Sequence, residues 1–380
     1  MRKHDNGKST GESVSQQQDL TEFDELDDVP LPEALVSDVL GEMDRCADFA
    51  GDVLDASENF KDDVREDLAD RITDLDNEGP AYDSVTGVDG SYTSIDGTGV
   101  TIGICSAVGA GEEFQYNKEV FPSPASQDLT IALKGISTIL EMKTAGEANE
   151  EMVIYDGSFI TTLVSLNQLL QRREQQPNQG LWEAIDSLLV EYFRDSRYFL
   201  NALKDTVIIG SPKRSPSTRF LNDNYPEYVD RFSDRAFFSR ILEEGEYILT
   251  QRTEGGTNYA RESFYINDET SREVEDFYDE QGFVVCFYKP KPWSRAYRLE
   301  IPKSPETNNN YEKIMRTYGE QVIDPSMFEP YPQWLADVMC KKITNLSGML
   351  KDGIQNKLSD EGYDTSEVNT LLQGYRTEMQ

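Results

Sequence analysis

Histidine is all but missing from this sequence: among 380 residues only His4 is one, in a polar stretch rich in Gln, Ser and Asp. That scarcity excludes Ser-His-Asp and Cys-His catalysis and the zinc sites that lean on histidine. Cysteine is nearly as rare. Cys46, Cys105, Cys286 and Cys340 lie far apart, so no Cys-x-x-Cys motif exists, and free thiols in a reducing compartment are expected. No apolar run approaches the roughly 18 residues that cross a bilayer. The N-terminus is charged and polar, without the apolar region of a secretion signal, so the chain is expected to be soluble, cytoplasmic and free of the membrane. Neither a Gly-x-x-x-x-Gly-Lys loop nor Gly-x-Gly-x-x-Gly is present, which removes two common phosphate cradles.

Positive charge is the other shortage. Lys and Arg number 36 against 71 Asp and Glu, a net charge of −35. The acids are scattered along nearly the whole chain, as expected of a surface kept soluble in concentrated salt. At about 1 M ionic strength the screening length is only about 3 Å. An acidic balance therefore does not exclude a nucleic-acid partner in such a cell, provided local basic islands exist. Aromatic residues at 10% and several long apolar patterns argue for a packed core rather than disorder.

Residues 1–30 read as a disordered acidic tail. Residues 31–80 carry apolar positions at helical spacing, including Leu35, Val39, Met43, Phe49 and Val53, and read as an N-terminal helical region. From 81 to 346 the pattern becomes mixed. Val85 to Val88 and Val100 to Cys105 look like strands, with a turn at Asp96-Gly97 between them. Glu112 to Val120 alternates as a hairpin partner. Residues 126–147 read as a helix capped by Ser126, with Leu129, Leu133, Ile136 and Leu140 on one face. Met152 to Tyr155, Thr206 to Ile209, Phe283 to Tyr288 and Tyr297 to Ile301 read as strands. Residues 159–204 form a helical insertion, 234–247 and 332–346 are helical, and 347–380 is a polar tail. The fold class this implies is α/β, a mixed sheet flanked by helices.

Two segments are nearly the same: Val88-Asp89-Gly90-Ser91-Tyr92 and Tyr155-Asp156-Gly157-Ser158-Phe159, each after an apolar strand. A carboxylate at a strand end is held rigidly, and the glycine beside it lets another group approach. Mg²⁺ and Mn²⁺ take oxygen ligands from a few such acids and keep positions for water and phosphate. Asp-Gly is also a common turn dipeptide, so the pattern by itself admits both readings. A third acid is needed, and Glu141, late in the helix before the second strand, is the candidate, with Glu147, Glu150 and Glu151 as neighbours that spacing cannot separate from it.

Two basic islands stand out. Residues 211–219 hold Lys213, Arg214 and Arg219 without an acid, and 289–298 hold Lys289, Lys291, Arg295 and Arg298 without one. Such groups neutralise phosphates, and Trp293 or Tyr297 could stack bases. Local ion pairing is the competing explanation.

In order and spacing these motifs resemble the NurA nuclease family over about residues 82–343. The resemblance rests on Asp89-Gly90-Ser91, the helix with Glu141, Asp156-Gly157-Ser158 and Lys213-Arg214-Ser215. It continues through Asp234 before an apolar helix, Arg298-Leu299-Glu300-Ile301-Pro302 and Tyr331-Pro332. It implies an RNase H-like core and a Mn²⁺- or Mg²⁺-dependent DNA nuclease, a 5′-to-3′ exonuclease and single-strand endonuclease. It also implies a homodimer that works in DNA end processing with a HerA-type hexameric ATPase translocase. Asp89, Glu141 and Asp156 fall at the family's metal-binding acids, and Tyr331 at its late catalytic tyrosine. One departure stands out: the family has an Ala-His pair in the helix after Tyr-Pro, where this chain has Met339 or Cys340. A soft sulfur ligand suits Mg²⁺ poorly. The alternative implied is a catalytically weakened or inactive adaptor of a translocase or DNA-defence complex.

Overall fold

The computed structural model describes residues 41–75, 78–124, 129–159, 206–213, 215–250, 283–304 and 306–372, with isolated positions 37, 162, 165, 168 and 169. The expected acidic tail, the Ser126 cap, most of the 159–204 insertion and the end of the polar tail lie outside the described residues. Residues 1–59 and 60–380 are separate compact units. Helix α1 (Met43–Asp67) supplies the regular structure described in the first of them.

In the second unit the described strands make one nine-stranded mixed sheet. They are β1 (Ile72–Asp74), β2 (Val85–Asp96), β3 (Val100–Ala110), β4 (Phe114–Pro124), β5 (Met152–Tyr155), β6 (Val207–Gly210), β7 (Glu246–Thr250), β8 (Phe283–Tyr288) and β9 (Tyr297–Pro302). Their order is β1-β7-β8-β9-β6-β5-β2-β3-β4. The short runs β5 and β6 are wholly buried and pair in parallel with β2 and with each other, as continuous apolar strands do at the centre of a sheet. The longer β2, β3 and β4 form an antiparallel meander at one side.

Helices α2 (Thr130–Glu147), α3 (Arg219–Asn224), α4 (Asp234–Ile241), α5 (Tyr311–Glu320), α6 (Tyr331–Thr344), α7 (Ser347–Asp360) and α8 (Thr365–Leu372) complete the chain. The apolar face expected of the first of these is buried: Leu129, Leu133, Ile136 and Leu140 are all under 5% exposed. One core cluster joins Ile154 and Ile209 of the central strands to Leu299 and Ile301 of β9 and to Ile314, Met315 and Tyr318 of α5.

Several elements depart from the sequence expectations. Residues 72–74 are a strand at the sheet edge rather than helix, because Ile72 to Asp74 pair with Glu246 to Ile248. Helix α4 stops at Ile241, and Glu246 already belongs to β7. Helix α2 begins at Thr130, with Leu129 in the cap position. The polar C-terminal stretch holds the two helices α7 and α8. Most consequentially, Asp89-Gly90-Ser91 does not end a strand. It lies in the middle of β2, with Asp89 opposite Val108 in the ladder with β3. On the other side of β2, β5 accompanies it only from Val85 to Val88. Asp89 is thus the first residue of β2 beyond its parallel neighbour.

Candidate active site

Where β5 ends, the chain turns away and the N–H of Asp156 donates to Val88 O at 2.9 Å. This bond sets Asp156 beside Asp89. The segment after it is pinned by Glu300 of β9, which is fully buried. Ser158 Oγ and the Phe159 N–H each donate to its carboxylate at 2.8 Å, and Arg298 pairs with it. Helix α2 crosses above and brings Glu141 down onto Gly90. A Cβ at Gly90 would stand 2.1 Å from Glu141 Oε1, so only glycine permits this approach. Tyr155, buried in β5, donates its hydroxyl to Glu141 Oε2 at 3.1 Å.

The three acids therefore meet, and a lysine stands among them. Lys213 Nζ lies 2.7 Å from Asp89 Oδ2 and 2.8 Å from Asp156 Oδ2, so those oxygens are less than about 6 Å apart and within strong Coulombic range. The same ammonium is 3.1 Å from Asp337 Oδ1 and 3.2 Å from Glu329 Oε2. The last contact is Coulombic only, because that Glu329 oxygen has no directed hydrogen bond. Gln333 of α6, fully buried, donates Nε2 to Asp156 Oδ1 at 2.8 Å and to Ser211 O at 3.0 Å.

The electrostatics follow from this crowding. Two carboxylates about 6 Å apart repel by roughly 3 kcal/mol at an effective dielectric of about 20. Burial first, and then Asp156, push the Asp89 carboxyl up to about 9. The same two causes push Glu141 up to about 8, against the hydrogen bonds from Tyr155 and Ser137. Burial works against the Lys213 charge, but Asp89 and Asp156 outweigh it and hold the ammonium protonated far above its usual range. Burial raises Glu329 too.

Oxygen donors converging from β2, α2 and the end of β5 suit a hard divalent cation. Among the described residues no three acid, cysteine or histidine side chains are spaced as a ready-made ion cage. The Lys213 ammonium stands at the centre, about 3 Å from the Asp89, Asp156 and Asp337 carboxylates. Carboxylate and amide oxygens of this kind are the donors that Mg²⁺ or Mn²⁺ takes.

The other flagged residues divide. Tyr331 is 39% exposed and stacks on Trp334 with ring centroids 6.0 Å apart, and among the described residues its contacts do not reach the acids. Cys340 reaches the site, but its thiol donates to the Asp89 main-chain oxygen at 3.0 Å, and burial pushes it up to about 12. It is a neutral packing group there. The α6 positions facing the acids are Gln333, Asp337 and Cys340. Lys213 pairs with acids at the centre of the cluster. Arg214 lies outside the described residues.

Arg298 is 7% exposed and paired with Glu300, and Tyr297 is packed edge-on against Tyr318, so neither presents itself to a strand. Lys289 donates to Ser239 O at 3.1 Å. The exposed Arg219 lines a separate cavity of about 420 Å³ with Arg71 and Phe220. Lys291, Trp293 and Arg295 remain accessible, Trp293 at 44%. Arg295 donates to Phe328 O at 2.7 Å, one residue before Glu329 in the chain.

Glu329, Gln333, Asp337 and Tyr155 were missed from sequence. The spacing of 333, 337 and 340 on one helical face after Tyr331-Pro332 is the signal that could have found two of them.

The NurA domain profile matches residues 83–338 of this chain. A search of curated proteins finds no match. Among solved structures, the NurA nuclease from Sulfolobus solfataricus superposes with a TM-score of 0.57 at 10% identity, covering 88% of this chain and all of that one. A NurA crystal structure with manganese gives 0.52 at 14% identity, covering 86% and 99%. These likenesses show the fold, an RNase H-like mixed sheet.

Proposed function

The chain belongs to the NurA family of nucleases, and from that premise we propose that it is a divalent-metal-dependent deoxyribonuclease. The observation that carries this reading is the convergence of Asp89, Glu141 and Asp156, from three distant segments, on one buried oxygen-rich point. Asp89 and Asp156 would hold Mn²⁺ or Mg²⁺, with Glu141 as a further ligand or as the group that orients the attacking water. A bound ion there lowers the pKa of water and polarises the phosphodiester. Glu141, whose carboxyl burial and Asp156 push up to about 8 in the metal-free chain, would be the group placed to orient that water. Arg295, Lys291 and Trp293 would guide the strand, the cations neutralising phosphates and the indole stacking a base.

The same reading includes DNA end processing as a homodimer with a HerA-type translocase. Met43 and Leu54, exposed on one side of α1, are apolar groups that one of these contacts would cover. The test uses the full chain in molar potassium chloride with single-stranded DNA, RNA and a DNA–RNA hybrid. Cleavage of DNA with Mn²⁺, lost on adding EDTA, is expected. Cleavage of RNA alone, or cleavage indifferent to chelation, would contradict the proposal. One observation favours the adaptor reading instead: an ammonium already occupies the place between Asp89 and Asp156. Absence of Mn²⁺ binding would decide for it.

A further inference from the structure

Four carboxylates face one ammonium. Asp89, Asp156, Asp337 and Glu329 all lie within 3.2 Å of Lys213 Nζ, and Asp337 also receives Lys341 at 2.7 Å. Lys341 reaches only Asp337, so Lys213 alone faces the other three carboxylates. A second observation points to a missing ligand in the same place. Gln333 is fully buried against Asp156, yet its Oε1 has no hydrogen-bond partner among the described residues. An unpaired buried carbonyl costs about as much as a lost hydrogen bond. A cation, or a water held by one, would satisfy it.

We propose that Glu329 and Asp337 are additional ligands for the divalent cation, and that Lys213 is a resident stand-in which the cation displaces. This rests on the nuclease reading above but goes beyond the three acids named there. Helix α6 begins at Tyr331, just after Glu329, and carries Gln333 and Asp337 one turn apart on the same face. It therefore holds the Asp337 carboxylate and the Gln333 amide beside the ring, and Glu329 arrives from the segment that leads into the helix. The carboxylates stand about 3 Å from the ammonium, whereas Mg²⁺ and its kin bind oxygen at about 2.0–2.1 Å. Exchange of ammonium for ion thus needs a contraction of roughly 1 Å, within the reach of side-chain rotation. The freed lysine, on the loop after β6, keeps its charge beside the site, where a substrate phosphate would meet it.

Calorimetric titration of Mn²⁺ into the full chain, without DNA and at fixed potassium chloride, tests this. Asp337→Asn and Glu329→Gln should each weaken Mn²⁺ binding about tenfold or more, while Lys213→Met should strengthen it about tenfold by removing the competitor. If Asp337 serves only to anchor Lys213, Asp337→Asn will leave affinity unchanged or raise it, and the proposal is overturned. Should Lys213→Met fail to fold, the two isosteric acid variants carry the decision alone. If Asp89→Asn abolishes binding while Asp337→Asn and Glu329→Gln do not alter it, the added ligands are refuted and the nuclease reading stands. If the native chain binds no Mn²⁺, both fall.

Discussion

Replacement of Asp89 by asparagine should lower DNA cleavage by roughly a thousandfold or more, because a metal-holding carboxylate in a water-poor site supplies several kcal/mol of transition-state stabilisation. The same change should make the metal-free protein more stable. Asp89 is pushed up to about 9 when folded, against an ordinary value near 4 when unfolded. Its contribution is favourable below pH 4 and is progressively lost as pH rises toward 9, since ionisation is then opposed in the folded state alone. Asparagine keeps the shape without the charge, and Lys213 retains Asp156, Glu329 and Asp337 as partners. Thermal melting at pH 8 without metal should therefore rise by several degrees, and the gain should shrink at pH 5. Activity and stability moving in opposite directions is the signature of a site held together for chemistry. Loss of both would mark Asp89 as a structural residue.

Gly87→Ala should be the most damaging small substitution in the sheet. A Cβ there would lie 2.2 Å from Gln333 N and from Pro332 C, which are backbone atoms at the start of α6. Neither can rotate away, so the helix must lift from β2. Overpacking against backbone costs about 3 kcal/mol or more, a fall of roughly 5–10 °C in melting temperature for a unit of this size. Lifting α6 also withdraws Gln333 and Asp337 from the acids, so cleavage should fall along with stability. Differential scanning calorimetry and a cleavage assay on the same sample check both halves. A melting temperature within 1 °C of the native protein, as an order-of-magnitude criterion, would show that the close approach of α6 is not needed.

How much of this was legible in the residues depended on the kind of signal. The paired Asp-Gly-Ser segments pointed to the two acids that the structure unites, and the apolar face of α2 placed Glu141 above them. What failed was the inference that each motif ends a strand. Asp89 lies inside β2, because β3 continues alongside after β5 has stopped, and local pattern carries no record of how far a neighbour extends. The basic islands were legible as charge but not as position. Lys213 turned inward to the acids, while Arg298 turned inward to Glu300. A net charge of −35 made each cation look like a ligand for something external, when some serve to neutralise acids within the fold. Asp337 and Glu329 were hidden among 71 acids, where only the fold could single them out.

The most direct test of the whole account is a crystal of the chain soaked in Mn²⁺, with data collected at the manganese edge. The account predicts an anomalous peak between the Asp89 and Asp156 carboxylates, with the Lys213 ammonium moved away from it. An ammonium still seated between the two acids, with no peak within reach of either at millimolar Mn²⁺, would contradict it.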